Sequence, residues 1–388
     1  MKPTKNQGSG RYVETIAFGE KVSAFLPNAL PPEINLASPS LLKRLNEANR
    51  ALGRLDGIKD MLPNADLFLY FYVRKEALLS SQIEGTQSSF SDLLLFEADE
   101  APNVSPDDVG EVTNYVAAMN LGLDRLNKLP LSSRLLRELH EVLMQGVRGE
   151  TKNPGEFRRS QNWIGGSRPG NARFVPPPPD KVPDLMSDLE KFIHADDLSE
   201  APLIKAALVH VQFETIHPFL DGNGRLGRLL IALMLVESEA LSAPLLYLSL
   251  YLKARRDDYY ALLSKVRFKG AWEEWLEFFL DGVVETSEQA VRTAQRLLTQ
   301  FEADEEKIKT LGRATDSALR VLTELKRRPI ANVRLLAEWS GLTHPTVRSS
   351  LNRLIDVGIV SQPGEGKRDR VYVYRPVLEI LEQGTEPI

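Results

Sequence analysis

The chain lacks cysteine altogether in 388 residues. That single absence excludes disulfides, thiolate nucleophiles and cysteine-ligated zinc or iron–sulfur centres. Long apolar runs are missing as well. Leu229–Val236 stops far short of the roughly 20 residues that span a bilayer, and Met1–Pro27 has no continuous apolar stretch of the kind a secretory signal needs. No membrane partner is expected, and a cytoplasmic setting is. Charge of one sign is not in excess: 48 Lys+Arg face 53 Asp+Glu, a formal net charge of −5. Nucleic acid is therefore not expected as the partner of the whole chain, which leaves room for a local basic module. What is present is ordinary for a globular protein. Hydrophobic residues make up 43% and charged residues 26%, which excludes wholesale disorder. The length suggests two or three domains at roughly 100–200 residues each.

Proline and glycine punctuate residues 1–40, which read as an irregular arm. Beyond Pro39 the pattern turns helical. Leu41, Leu42, Leu45, Leu52 and Leu55 recur at spacings of three and four, and Ala65–Leu79 is a second apolar stretch leading to Ser80 and Gly85. The clearest helix starts near Pro106, with Ser105 placed to cap it and Asp107 and Asp108 suited to its positive end. Its stripe runs Val109, Val112, Val116, Met119, Leu123, Leu126 and reads as a core face. Further helical stretches are expected at Ser132–Val147, Asp180–His194, Pro202–Phe213, Leu226–Leu241 and Tyr251 to about Ala303. Between two of these, the Gly- and Pro-rich segment 162–179 carries short apolar pieces around Trp163 and Phe174, which suggest a small hairpin as the sole β element of residues 40–305. Composition shifts after the charge-dense stretch Glu302–Lys309. Asp316–Arg375 carries a net +5, leaving −10 for the rest. The order there is two helices, a Gly341 turn, the helix His344–Val357, a basic loop Gly364–Arg370 and the strand Val371–Tyr374. That order is a winged helix-turn-helix.

The densest chemistry lies in His217–Arg228. His217 precedes a proline and is pushed out of helical geometry at a helix end. Gly222, Asn223 and Gly224 can take positive φ and turn successive N–H groups toward one point, an anion nest. That loop opens into a helix whose N-terminus adds a positive dipole end. Arg225 and Arg228, three apart, place two guanidinium groups on its first turn. Asp221 offers a hard oxygen suited to Mg²⁺ bound together with phosphates. Any one of these features is commonplace as structure: a histidine at a helix end, a glycine turn. Together they place a base, a metal carboxylate, a phosphate cradle and two phosphate clamps within twelve residues.

His217–Arg228 matches every fixed position of H-P-F-x-[DE]-G-N-G-R-x-x-R, and on it the chain resembles the Fic family (filamentation induced by cyclic AMP). The resemblance extends over residues 40–300 and implies an all-α Fic bundle with an N-terminal helical extension, in which the hairpin Trp163–Val175 resembles the flap that aligns a target segment by β-pairing. It also implies transfer of AMP from ATP to a protein hydroxyl, the protein itself included. By that resemblance His217 is the general base toward a Ser, Thr or Tyr hydroxyl, and Asp221 is the Mg²⁺ ligand. Gly222, Asn223 and Gly224, with Leu226 and Gly227 beside them, line the ATP phosphates, and Arg225 and Arg228 contact the β- and γ-phosphates. A neutral imidazole with a pKa near 6.5 would serve as base.

Ser80-x-x-x-Glu84-Gly85 has a plain reading, in which Ser81–Glu84 is a capping box and Gly85 a helix end. The resemblance gives another, because [ST]-x-x-x-E-[GN] is the family's inhibitory signature. It implies that Glu84 pairs with Arg228, intrudes on the ATP site and keeps the nucleotide from a reactive pose. Tyr247, Tyr251, Tyr259 and Tyr260 are candidates to stack on adenine, with Tyr251 chosen. Helical aromatics more often belong to the core. In the C-terminal module, Thr343, Thr346, Arg348, Ser349 and Arg353 would face DNA and Lys367, Arg368 and Arg370 would lie on the wing, although winged helices also serve as protein-interaction or dimerisation modules. The expected layout is an arm and extension over 1–105, a catalytic core over 106–300, a linker over 301–315 and the winged helix over 316–388. The expected function is a Mg²⁺/ATP-dependent protein adenylyltransferase. A nucleotide-sensing DNA-binding regulator is the rival, and transfer of another group or removal of AMP stays open, as does a homodimer.

Overall fold

Where the sequence suggests an irregular arm, residues 10–27 instead form a β-hairpin. Strands β1 (Gly10–Ala17) and β2 (Glu20–Pro27) pair antiparallel, with Ala17 opposite Glu20. Phe18 and Gly19 join them with φ of +50° and +80°, a two-residue turn whose twist matches that of the strands. In this computed structural model, residues 8–61, 65–98, 106–196, 198, 201–312, 315–362 and 371–387 are described.

Helix α1 (Pro39–Met61) is followed by α2 (Ala65–Ile83), α3 (Phe90–Glu97), α4 (Pro106–Leu126), α5 (Ser133–Leu143) and α6 (Val182–His194). The stripe read from α4 is the buried one: Val109, Val112, Val116 and Met119 all lie in the core. Ser105, its expected cap, lies outside the described residues. Real caps appear at Ser132, which accepts from the Leu135 N–H, and at Ser89, whose hydroxyl and Asp92 carboxylate form a reciprocal capping box on α3.

Helices α7 (Pro202–Ile216) and α8 (Asn223–Glu237) form the centre of the bundle. Every residue of α7 from Leu203 to Ile216 is buried, so this helix has no solvent-exposed face and must be enclosed by neighbours on all sides. The helical stretch expected from Tyr251 to Ala303 divides into α9 (Ser249–Ala254), α10 (Arg256–Lys269) and α11 (Trp272–Lys309). Gly270 ends α10 with φ of +69°. Helix α11 then runs unbroken through Glu302–Lys309, its charge-dense end held by fully buried Asp304, which accepts from the Tyr374 hydroxyl at 2.7 Å.

The expected hairpin at 163–175 is a loop closed by one antiparallel bridge, Ile164 to Phe174, rather than by two strands. Among the described residues of 40–305 it is the one β element, as expected, and the β1–β2 hairpin from residues 10–27 lies beside it. The Phe25 N–H of β2 donates to Val175 O at 2.9 Å, and Glu20 accepts from Arg168 at 2.8 Å. The C-terminal segment contains α12 (Thr315–Arg327), β3 (Ile330–Asn332), α13 (Val333–Ser340), α14 (His344–Asp356), β4 (Val371–Val373) and α15 (Arg375–Leu381). Strands β3 and β4 pair antiparallel. The wing expected at Gly364–Arg370, with Lys367, Arg368 and Arg370, falls at positions of which 363–370 lie outside the described residues. Among the described residues no helix is long and apolar enough to cross a membrane.

Candidate active site

Helix α7 ends at His217, which adopts φ of +50° and donates its own N–H to Phe213 O at 2.8 Å. Pro218 forbids another helical turn, so the chain leaves as a loop and re-enters helix at Asn223. The expected nest is narrower than the three residues Gly222–Gly224. Gly222 alone among them has positive φ, +74°, while Asn223 and Gly224 already belong to the first turn of α8. A Cβ at Gly222 would run into Met144 Sδ and approach His140, so glycine is required there on two counts.

Asn223 spends its side chain on the loop itself. Its Oδ1 accepts from the Phe219 N–H and its Nδ2 donates to Phe219 O, both at 2.9 Å. Phe219 in turn stacks on the His140 ring, with centroids 3.8 Å apart. His140 accepts from the Gly155 N–H through Nδ1 and therefore donates from Nε2 to Asp221 O, at 2.9 and 3.0 Å. Burial holds its pKa down at about 4, so it stays neutral. Arg158 fixes the other side, donating to the carbonyls of His217 (2.9 Å) and Pro177 (2.6 Å). The loop is thus braced from within and from two neighbouring segments.

The first turn of α8 has no side-chain cap, so its leading N–H groups face the site. Arg225 and Arg228 project from that turn, each 2% exposed. Arg225 lies 3.4 Å from Glu111 of α4, and its Nε and Nη1 have no hydrogen-bond partner. Arg228 donates from Nε to Ser80 Oγ at 2.8 Å, and from Nη2 to Ser80 O at 2.9 Å and to Glu84 Oε1 at 2.7 Å. Burial is the largest influence and opposes its charge, but Glu84, Tyr259 and Tyr260 together outweigh it and raise the pKa above the usual value. Glu84 also fills the mouth of the helix, since a Cβ at Gly224 would collide with its Oε1. Arg228 Nη1 stays without a partner. Three buried guanidinium donors without a hydrogen-bond partner, one of them beside Glu111, lie next to an uncapped helix start, an arrangement that suits a polyphosphate.

Ser81 is not a helix cap. It lies in the last turn of α2, and its carbonyl accepts from the Glu84 and Thr86 N–H groups. Gly85 takes φ of +106° and turns the chain so that Glu84 points at α8. His217 is neutral, but its pKa is not near 6.5. Burial, then the charges of Arg267 and Arg158, lower it to about 3.

Two family models match this chain: Fic/DOC family N-terminal over residues 42–124 and Fic/DOC family over residues 130–235. This is a Fic/DOC family chain. Among curated proteins it is 33% identical over 131 residues to Protein adenylyltransferase Fic of Drosophila erecta, covering 32% of this chain and 25% of the fly protein. It is 25% identical over 290 residues to a Probable protein adenylyltransferase of Aquifex aeolicus, covering 70% of this chain and 85% of that protein. The match to the fly protein therefore spans about a quarter of its length. A Fic family protein of Desulfovibrio desulfuricans G20 superposes with a TM-score of 0.59 at 22% identity, over 89% of this chain and 98% of the other. A Fic domain-containing signalling protein of Bacteroides thetaiotaomicron VPI-5482 gives 0.51 at 18%, over 65% and 97%. These likenesses establish the fold.

Within the Fic fold the remaining expected residues divide. Asp221 is half-buried at the cradle, its Oδ1 accepting from the Gly222 N–H at 2.7 Å. No group of three or more His, Asp or Glu able to hold a metal forms among the described residues. A lone carboxylate of this kind suits a cation that arrives with phosphates. Leu226 points into the core at 0% exposure. Gly227 lets α7 approach, for a Cβ there would meet Glu214 Oε1 at 2.8 Å and His210 Nδ1 at 3.4 Å. Tyr251 lies on the seam of α9 and α11, against Phe278 at 4.9 Å and Arg255 at 4.0 Å. Tyr259 and Tyr260 both lie within reach of the charges of Glu84 and Arg228, and of the two only Tyr260 is exposed. Burial, then Glu84, push its pKa up to about 12, and its ring is 38% exposed. Tyr247 is buried against Tyr72, and Tyr259 bonds His210 at 2.9 Å.

Sequence reasoning missed Glu111, Glu214 and His140. Glu214 ends α7 with Oε2 3.9 Å from His217 Nδ1, and burial raises its pKa to about 7. The chain has five histidines, and His140 and His210 on apolar helices were a readable signal. For Glu111 there was none, because its partner Arg225 is distant in sequence.

Proposed function

We propose that this protein is an adenylyltransferase that moves AMP from ATP to a hydroxyl of a protein target, itself included, and that Glu84 holds it in check through Arg228. The observation that carries the reading is the Glu84–Arg228 contact at 2.7 Å, which places a carboxylate where a terminal phosphate of ATP would compete for the same guanidinium. The donors of Arg225 and Arg228 that lack a hydrogen-bond partner fit a polyphosphate, and Asp221 fits the accompanying Mg²⁺, which when bound would offset negative charge on the phosphates.

In the reaction so read, the target oxygen forms a bond to the α-phosphorus, the bond from that phosphorus to the bridging oxygen breaks, and pyrophosphate leaves. His217 takes the hydroxyl proton, and the lowered pKa keeps it unprotonated near neutral pH. The first turn of α8 and Arg225 hold the β-phosphate side, and Arg228 orients the γ-phosphate once Glu84 has moved. Tyr260, exposed beside Glu84, is a better adenine neighbour than Tyr251. The flap at 163–175, widened by β1–β2, would present the target backbone.

The test is incubation of the protein and of Glu84→Gly with α-labelled and γ-labelled ATP. Covalent α-label alone supports AMP transfer, γ-label points to phosphate transfer, and loss of α-label from a modified target points to AMP removal. The DNA-binding regulator has one observation in its favour. Helix α14 exposes Arg348, Ser349 and Arg353 opposite buried Val347, Leu351 and Leu354. Duplex binding that weakens steeply with salt, in a protein that incorporates no label, would favour that reading.

A further inference from the structure

Lys75 is an uncommon residue for the middle of a core helix. It sits on α2 at 1% exposure, and its ammonium donates to backbone carbonyls, Leu381 O at 3.1 Å and Gln383 O at 2.8 Å. Seven residues later Gln82, also 1% exposed, donates to Thr385 O at 2.8 Å and Ser88 O at 2.9 Å. These two buried donors of α2 therefore both find acceptors in a segment about 300 positions away.

That segment is held at several points. Thr385 is 2% exposed. Arg296 of α11 donates to Gln383 Oε1 at 2.7 Å, Lys253 of α9 donates to the carbonyls of Gly384 and Glu386, and Ser91 of α3 donates to Glu382. Gly384 has φ of +80°, and a Cβ there would meet Leu250 at 2.7 Å. Residues 381–386 cross α2, α3, α9 and α11 as a strap continuing from α15.

The strap grips the helix whose last turn carries Ser80 and Glu84. The Gln82 carbonyl accepts from the Gly85 N–H, so the residue that holds the strap also helps form the turn that aims Glu84. Without the strap, a buried ammonium and a buried amide lose acceptors, which disfavours the present seat of α2. Burial already lowers the Lys75 pKa to about 8.

We propose that the strap 381–386 is the latch of the inhibitory helix. It holds α2 where Glu84 reaches Arg228, and a partner that draws α15 and the strap away frees that arginine for ATP. By linkage, occupation of the ATP site by nucleotide loosens the strap in return.

This inference rests on Glu84 being inhibitory, so its test has one arm that does not. Two variants serve: removal of residues 383–388, and full-length Gly384→Val, which strains the backbone and crowds Leu250. Hydrogen exchange should show amides 76–84 exchanging at least about tenfold faster in both, with α7 and α8 unchanged. Covalent label from ATP should rise about tenfold, and neither change should add to Glu84→Gly. Unchanged exchange at 76–84, or equal loss of protection in α8, overturns the latch. So does a rise of the same size on top of Glu84→Gly. If Glu84→Gly takes up no label at all, the transferase reading fails, and exchange at 76–84 still decides the latch.

Discussion

The loop 217–223 and the turn 80–85 face each other across one arginine, yet they are held in different ways. The loop is closed by its own side chains and pinned by two other segments. Asn223 closes it onto Phe219, Gly222 turns it, and His140 and Arg158 pin its carbonyls. The turn at 80–85 depends on distant groups: Arg228 on Ser80 and Glu84, Arg256 donating to Ile83 O at 2.9 Å, and the strap on Gln82. Glu84 is also the more exposed partner of its pair, 32% against 1% for Arg228. On the proposed reading, a loop that closes on itself through Asn223 and Phe219 stays formed whether or not its occupant is present, whereas a carboxylate aimed through side-chain contacts from distant segments can be withdrawn. On that reading the same arginine serves two states.

The comparison breaks first at the base. His217→Ala should cut label incorporation by about a hundredfold or more, while ATP binding measured by calorimetry stays within about twofold. Incorporation near the unmodified level would remove His217 from the chemistry.

Arg228 should be needed by both states. Arg228→Ala is expected to lower incorporation about a hundredfold even when combined with Glu84→Gly. If the double variant works as well as Glu84→Gly alone, the arginine belongs to the plug and not to the cradle.

Removing the plug has the opposite sign. Glu84→Gly should raise automodification by about one to two orders of magnitude, with Glu84→Asp between the two, because cutting one partner of a pair of this kind is worth a few kcal/mol. Flat activity with a lowered melting temperature would return Glu84 to a structural role.

The cradle should cost stability when its own pairing is cut. Glu111→Ala leaves the Arg225 guanidinium buried beside nothing of opposite charge, an expected loss of about 3 kcal/mol, read as a lower melting temperature. An unchanged melting temperature would show that Arg225 does not depend on Glu111.

The smallest effect concerns pH. Burial raises the Glu214 pKa from 4.5 to about 7, so the folded state binds its proton more tightly than the unfolded state does. Its contribution to stability is full below about pH 4.5 and is lost as pH rises through about 7. Glu214→Gln carries no charge to lose, so its melting temperature relative to the unmodified protein should climb between pH 5 and 7.5. A constant difference would mean that the carboxyl is not buried as described.

Much of the bundle and of the cradle is legible in the order of residues alone. The α4 stripe, the helical stretch Pro202–Phe213 and the cluster His217–Arg228 are local patterns, and local patterns survive in the chain order. The hairpin β1–β2 is not legible from glycine and proline alone, because its strands are held by cross-strand partners and by Val175. The break between α9 and α10 at Arg255 and the choice between Tyr251 and Tyr260 are equally out of reach, since both depend on which helix lies opposite.

The sequence by itself determined that a base, a carboxylate, a glycine turn and two arginines occupy consecutive turns of one segment, since spacing along a helix fixes which side chains share a face. Tertiary structure alone decided that Glu84 lands on Arg228, that Glu111 sits beside Arg225 and that Lys75 meets the carbonyls of residues 381 and 383. Those contacts join residues far apart in the chain, and their energies come from burial, which no local pattern records.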